Sequence, residues 1–224
     1  MKFGVVVFPG SNCDRDLVNA LQNDMHFEVI SLWHKDKDLS MFSSDDCIVL
    51  PGGFSYGDYL RCGAIARFSP MMQSVINFAN DGGKVLGICN GFQILCESGL
   101  LPGVLLRNAN MQFVCKNIYI TDSTNDGAKN VYKIPVAHGE GRFVAQPEVL
   151  DEMKRNNQVI YSYCNADGHI HDDYSPNGST NNIAGICNKE RNVFGMMPHP
   201  ERACSEALGN TDGKKIFSAI FSIN

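Results

Sequence analysis

The chain has 224 residues, enough for one large domain with a full core or at most two small ones. Hydrophobic residues make up 44% and charged residues 19%, ordinary for a globular protein, and a net charge of −5 argues against nucleic acid as the main partner. No apolar run reaches the roughly 18 residues of a membrane-spanning helix.

The first apolar run, 3–8, reads as a strand that ends in the turn Pro9-Gly10. A strand so close to Met1 leaves no signal-peptide pattern, so a cytoplasmic protein is expected. A helix is expected over 14–23, then strands at 27–33 and 46–51, a helix over 63–80, a strand at 84–88 and a helix over 90–98. This alternation predicts an α/β fold with a doubly wound, mostly parallel sheet flanked by helices. From about 112 to 145 extended runs replace the alternation and predict an antiparallel extension of the sheet. A helix over 147–156, strands at 158–164, 183–187 and 193–197, and a final helix over 212–222 complete the order. No linker, repeat or low-complexity block interrupts the chain, so 1–224 is expected to form a single domain. Nine cysteines, an odd number without C-x-x-C pairs, fit reduced thiols better than a disulfide or zinc framework.

The decisive stretch is Gly87-Ile88-Cys89-Asn90-Gly91-Phe92-Gln93. A buried strand ends on a cysteine with glycine two residues before and two after, and a helical run follows at once. That is the cysteine form of the strand–nucleophile–helix elbow, a turn so tight that flanking side chains would collide. It aims the sulfur at a helix N-terminus, where free N–H groups and the dipole favour a thiolate. A buried structural cysteine is the bland reading; the paired glycines favour the elbow.

A nucleophile needs a base. The strand at 193–197 runs into Pro198-His199-Pro200-Glu201-Arg202, where two prolines hold His199 in extended backbone. Residues i and i+2 of extended backbone point to one side, so Glu201 can orient the His199 imidazole. A surface histidine in a proline-rich loop is the alternative, but groups just past a buried strand lie where α/β sheets collect their chemistry. The third part is Pro51-Gly52-Gly53, where backbone N–H groups of Gly52 or Gly53, with that of Asn90, can meet a developing negative charge. A phosphate loop is the poorer reading, because no G-x-x-x-x-G-K-[ST] occurs. His169-Ile170-His171-Asp172-Asp173 offers metal-ligand side chains, but its polar, turn-like setting favours a solvated loop, and no metal is expected. Met71 and Met72 read as core.

The elbow, the distant His199-Pro200-Glu201 and the Pro51-Gly52-Gly53 loop together resemble the class I (triad-type) glutamine amidotransferases. Further stretches, Phe8-Pro9-Gly10-Ser11-Asn12-Cys13-Asp14, PGGFSYGDYLRCGAIAR from Pro51, PVAHGEGR from Pro135, Pro176-Asn177-Gly178-Ser179 and MMPHPER from Met196, resemble the branch that serves a synthetase of purine biosynthesis. The likeness spans nearly the whole chain. It implies that Cys89 attacks the glutamine carboxamide to give a thioester and ammonia, that His199 moves protons, and that Glu201 orients it. It also implies that Gln93 helps hold glutamine. ATP and Mg would be used by a separate large synthetase subunit that makes formylglycinamidine ribonucleotide, with a third, small bridging subunit and no cofactor in this chain. A glutaminase for another synthetase is the nearest alternative, and a cysteine peptidase or deglycase-like enzyme a remoter one, since those commonly carry histidine where Asn90 stands. A non-catalytic scaffold is disfavoured by the intact triad.

Two expectations concern mobility and partners. Nothing in the sequence locks the glycine-rich loop after Leu50, so weak glutaminase activity without a partner is expected. His138-Gly139-Glu140-Gly141-Arg142 is dense in charge and backbone freedom; a simple hairpin turn is one reading, and a partner-facing coupling segment built on His138, Glu140 and Arg142 is the other.

Overall fold

The computed structural model describes residues 1–122 and 130–222. Part of the stretch expected to extend the sheet, 112–145, falls on 123–129, outside the described residues. Among the described residues, nine strands form one sheet in the order β2-β1-β3-β4-β11-β10-β9-β6-β7. They are β1 (Lys2–Val7), β2 (Glu28–Trp33), β3 (Cys47–Leu50), β4 (Lys84–Ile88), β6 (Val114–Asp122), β7 (Val131–His138), β9 (Val159–Cys164), β10 (Ile183–Cys187) and β11 (Val193–Met196). The half from β2 to β11 is parallel; β10, β9, β6 and β7 extend it antiparallel. Two short strands, β5 (Val104–Leu106) and β8 (Arg142–Val144), pair with each other in a separate ribbon that sequence patterning does not reveal.

Burial explains the strands. Every residue of β3, β10 and β11 is buried, the continuous apolar pattern of strands covered on both faces. β7 instead alternates, with Tyr132, Ile134, Val136 and His138 buried and the intervening residues more open. The helices are α1 (Asp14–Asn19), α2 (Pro70–Asn80), α3 (Asn90–Glu97), α4 (Pro147–Arg155) and α5 (Asp212–Phe221). Met71 and Met72 of α2 are fully buried, as core packing requires.

Two helices differ from expectation. α2 begins at Pro70, not at 63: Gly63 takes a left-handed φ of 78°, and Ser69, in extended backbone, caps the helix by accepting from the Met72 N–H at 3.3 Å. After α1 the chain continues as a wider π turn over Ala20–Asp24.

The arrangement places β1, β3, β4 and β11 side by side. Their carboxyl ends point the same way, so the segments after Val7, Leu50, Ile88 and Met196 gather at one edge of the sheet.

Candidate active site

Cys89 follows β4 and precedes α3 with φ 50° and ψ −104°, a strained conformation for a residue with a side chain. Its N–H donates to the Met196 carbonyl at 2.8 Å, so β11 holds the turn in place. The flanking glycines are forced by contact. A methyl group on Gly87 would lie 2.6 Å from the Gly91 carbonyl carbon, and one on Gly91 would lie 2.0 Å from the Leu50 oxygen. The elbow expected from the sequence is therefore present, built between β3, β4 and β11.

His199 and Glu201 are both buried, and Nδ1 of the imidazole lies 2.6 Å from Oε1 of the carboxylate. The His199 N–H donates to the Pro135 carbonyl at 2.9 Å, tying this segment to β7. Burial alone would lower the imidazole pKa. The Glu201 carboxylate and then the Cys89 sulfur reverse that and raise it to about 10. His199 thus carries a proton at neutral pH between a carboxylate and a sulfur. Cys89 meets the neighbouring His199 and Glu201 across more than a hundred residues of sequence.

Gly52 lies where the three strand-end segments meet. A methyl group there would sit 2.8 Å from His199 Cε1, 3.3 Å from Cys13 Sγ and 3.4 Å from Cys89 Cβ. Glycine is needed at this point for close approach. Gly53 lines the same cavity as Cys89, and Asn90 is the first residue of α3, where the N–H has no partner within the helix.

The loop after β3 is pinned, contrary to the sequence expectation. Phe54 N–H donates to Gly10 O at 2.9 Å and Tyr56 N–H to Pro9 O at 2.6 Å. The Tyr56 hydroxyl lies 2.6 Å from His34 Nδ1, and Ser55 N–H donates to Asn90 Oδ1 at 3.1 Å. The lock comes from side chains and carbonyls of distant segments, which local composition does not disclose. Asn90 Nδ2 donates to Gln93 Oε1 at 2.9 Å and to Asp58 Oδ1 at 3.3 Å, and Gln93 Nε2 donates to the Glu140 carbonyl at 2.6 Å. Gln93 lines the cavity but is also a brace between α3 and the turn after β7.

The segment from His138 to Arg142 runs from the end of β7 into β8. His138 is buried, and it lines, with Glu140, the cavity of about 350 Å³ that holds Cys89. Its Nδ1 lies 3.2 Å from Asn108 Oδ1; the Asn108 amide nitrogen is spent on the Gln112 and His138 carbonyls, so Nδ1 donates. Burial, and then the charge of His199, lower the His138 pKa to about 4, so this second histidine is neutral where His199 is charged. Arg142 is half-buried on β8, paired with Leu106. Asn177 Nδ2 donates to the Gly141 carbonyl at 2.8 Å and Ser179 Oγ accepts from Phe143 N–H at 3.0 Å, so Pro176-Asn177-Gly178-Ser179 frames this turn.

Sequence reasoning overlooked Asp58, Cys62 and Arg107, which line the cavity, and Cys13, which packs behind His199. Among the described residues, Cys13, His199 and Glu201 bring three potential ligand atoms within 4.8 Å of one another. The Arg202 guanidinium 3.2 Å from Cys13 Sγ and the His199–Glu201 bond already use those atoms, which suits proton transfer better than a cation. His169 and the His171–Asp173 pair are exposed, as a solvated loop should be.

The glutamine amidotransferase family described as "CobB/CobQ-like glutamine amidotransferase domain" matches residues 1–218. The chain is 51% identical over 229 residues to the phosphoribosylformylglycinamidine synthase subunit PurQ of Acaryochloris marina, with 99% of this chain and 96% of that one covered. The PurQ of Moorella thermoacetica is 52% identical over 227 residues, covering 98% and 95%. The chain belongs to the glutamine amidotransferase subunits of phosphoribosylformylglycinamidine synthase. A chain of the solved PurLQS structure from Thermotoga maritima superposes with a TM-score of 0.83 at 41% identity, covering 99% of this chain and 97% of that one. This family membership makes the chain a glutaminase subunit of purine biosynthesis and accounts for the α/β fold with its antiparallel extension. Among the described residues, no helix is long and apolar enough to cross a membrane.

Proposed function

We propose that this chain hydrolyses free glutamine at Cys89 and passes the ammonia to a separate, ATP- and Mg-using synthetase subunit, assembled with a third, small bridging subunit. Cys89 Sγ attacks the carboxamide carbon, the carbonyl oxygen takes up negative charge, and N–H groups of Asn90 and of Gly52 or Gly53 receive it. His199 gives its proton to the departing nitrogen, and the C–N bond breaks to leave a glutamyl thioester and ammonia. Water then attacks the thioester, His199 takes the proton, and glutamate leaves with the thiol restored. Glu201 orients the imidazole and favours its charged form throughout. The relatives support the partner assignment: one is a synthase subunit, another a chain of a PurLQS assembly. Nine cysteines without a disulfide suit a cytoplasmic setting.

The observation that carries this reading is the buried His199–Glu201 bond of 2.6 Å beside the strained Cys89 elbow. The test separates making ammonia from using it. In the assembled complex, Cys89→Ala should abolish product formation from glutamine and spare product formation from ammonium salt at raised pH. Loss of both activities in an intact complex would overturn the division of labour.

A further inference from the structure

A charged group stands next to the triad that the thioester reaction does not use. Arg202 ends a short 3-10 turn, Pro200–Arg202, and its N–H donates to the His199 carbonyl at 3.2 Å. Its guanidinium reaches the start of α1, where Nη2 donates to Cys13 Sγ at 3.2 Å and Nε to Asp16 Oδ2 at 3.1 Å. Cys13 is in turn tied to the loop after β3, its N–H donating to the Gly52 carbonyl at 3.4 Å. Cys13, Gly53, His199 and Arg202 line a cavity of about 180 Å³, whereas Arg202 does not line the larger one that holds Cys89. The guanidinium is thus fastened beside the imidazole and away from the substrate cleft.

The charge so fixed bears on Glu201. The carboxylate gives Oε1 to His199 Nδ1 at 2.6 Å, while Oε2 is buried and accepts no hydrogen bond among the described residues. Burial would lower the Arg202 pKa; Cys13 and then Glu201 overcome it and raise the pKa. Other groups packed around the pair add little fixed charge. Burial pushes the Cys13 and Cys204 thiols up to about 12 and keeps them neutral, and His138 is neutral too. Asp24 and Lys214 act on Cys204 with opposite signs.

Cys89 differs, because its charge changes during the reaction. In the resting site Glu201 and the sulfur both hold the proton on His199. In the thioester the sulfur is bonded to carbon and uncharged, and the imidazole must be neutral to take a proton from water. Its proton is then held by Glu201 and repelled by Arg202. We propose that Arg202 is a positioning residue for thioester hydrolysis: locked by Cys13 and Asp16, its charge offsets Glu201 and frees His199 to act as a base. The proposal rests on the reading of Cys89 as a glutaminase nucleophile.

The test is glutamate release from glutamine by the assembled complex from about pH 5 to about pH 9, with kcat and KM resolved at each pH. Arg202→Gln keeps N–H donors for Cys13 and Asp16 but drops the charge. The acid limb of kcat should move up by about one pH unit and kcat at neutral pH should fall about ten-fold, with KM within about two-fold of the parent. Arg202→Lys retains the charge and should return the limb to the parent position. Asp16→Asn removes an anion from the far side of the guanidinium, so the limb should move the opposite way, by roughly a few tenths of a pH unit. An unmoved limb in folded Arg202→Gln, or an equal displacement in Arg202→Lys, would overturn the proposal, because packing and not charge would then be responsible. If Arg202→Gln does not fold, Asp16→Asn decides by sign: no shift or an upward one sinks the idea. If the parent complex releases no glutamate, the glutaminase reading itself falls.

Discussion

The chemistry at single residues turns on two histidines pushed in opposite directions. His199 has a carboxylate and a sulfur beside it and is raised to about 10; His138 has only burial and the charge of His199 and is lowered to about 4. A folded-state pKa above the ordinary 6.5 means that the His199 contribution to stability is complete below pH 6.5 and lost as pH climbs through about 10. Glu201→Gln removes the main cause of the rise while burial remains, so the His199 pKa should fall. Thermal unfolding followed from pH 6 to 10 should then show the variant losing this alkaline-sensitive stability at lower pH than the parent. An unchanged pH profile would mean that Glu201 does not control the proton on His199.

At the scale of elements, the elbow and the loop facing it are held by close contact and by long-range hydrogen bonds. Gly91→Ala would drive a methyl group to within 2.0 Å of a strand carbonyl in the middle of the sheet. Backbone cannot yield there as a flexible side chain could, so destabilisation of about 3 kcal/mol or more is expected, read from urea unfolding. Gly139→Ala, whose methyl would meet only the Phe113 ring at 3.7 Å, should cost far less in the same assay. The loop after β3 allows a subtler test. Tyr56→Phe deletes the hydroxyl bonded to His34 and should cost about 1 kcal/mol. Because that bond steadies the glycines facing Cys89, kcat for glutamine should fall several-fold with little change in KM. A KM effect alone would assign Tyr56 to substrate binding.

Across the whole molecule, several exposed apolar side chains stand in or beside the lining of the catalytic cavity. Phe54, Met111 and Phe113 line it, and Tyr59 and Leu60 follow Asp58 on the same loop, Leu60 being 83% exposed. Apolar groups gathered at an opening that must release ammonia suit burial against another protein. Leu60→Asp should weaken association with the synthetase subunit at least ten-fold in a titration, while an exposed residue remote from the mouth, such as Lys189→Ala, should not change it. Unaltered binding by Leu60→Asp would place the docking surface elsewhere.

The sequence by itself determined the chemistry and most of the elements. Gly87, Cys89 and Gly91 are legible because a tight strand–helix turn imposes local spacing, and His199 and Glu201 because they stand two residues apart beside prolines. The expected extended backbone is instead a short 3-10 turn over Pro200–Arg202, which brings the carboxylate to the imidazole by a different route. The strand and helix alternation is legible for the same reason: periodicity is a local property. The tertiary structure decided what depends on contacts between distant segments. It pinned the loop after β3 through Pro9, Gly10, His34 and Asn90, and it set His138 and Glu140 on the wall of the catalytic cavity. It also set Asp58 and Arg107 on that wall and Cys13 behind His199. A charged glycine-rich segment reads the same whether it faces solvent or a cavity. Only the packing of β6, β7 and α3 around it fixes which side of the turn meets water.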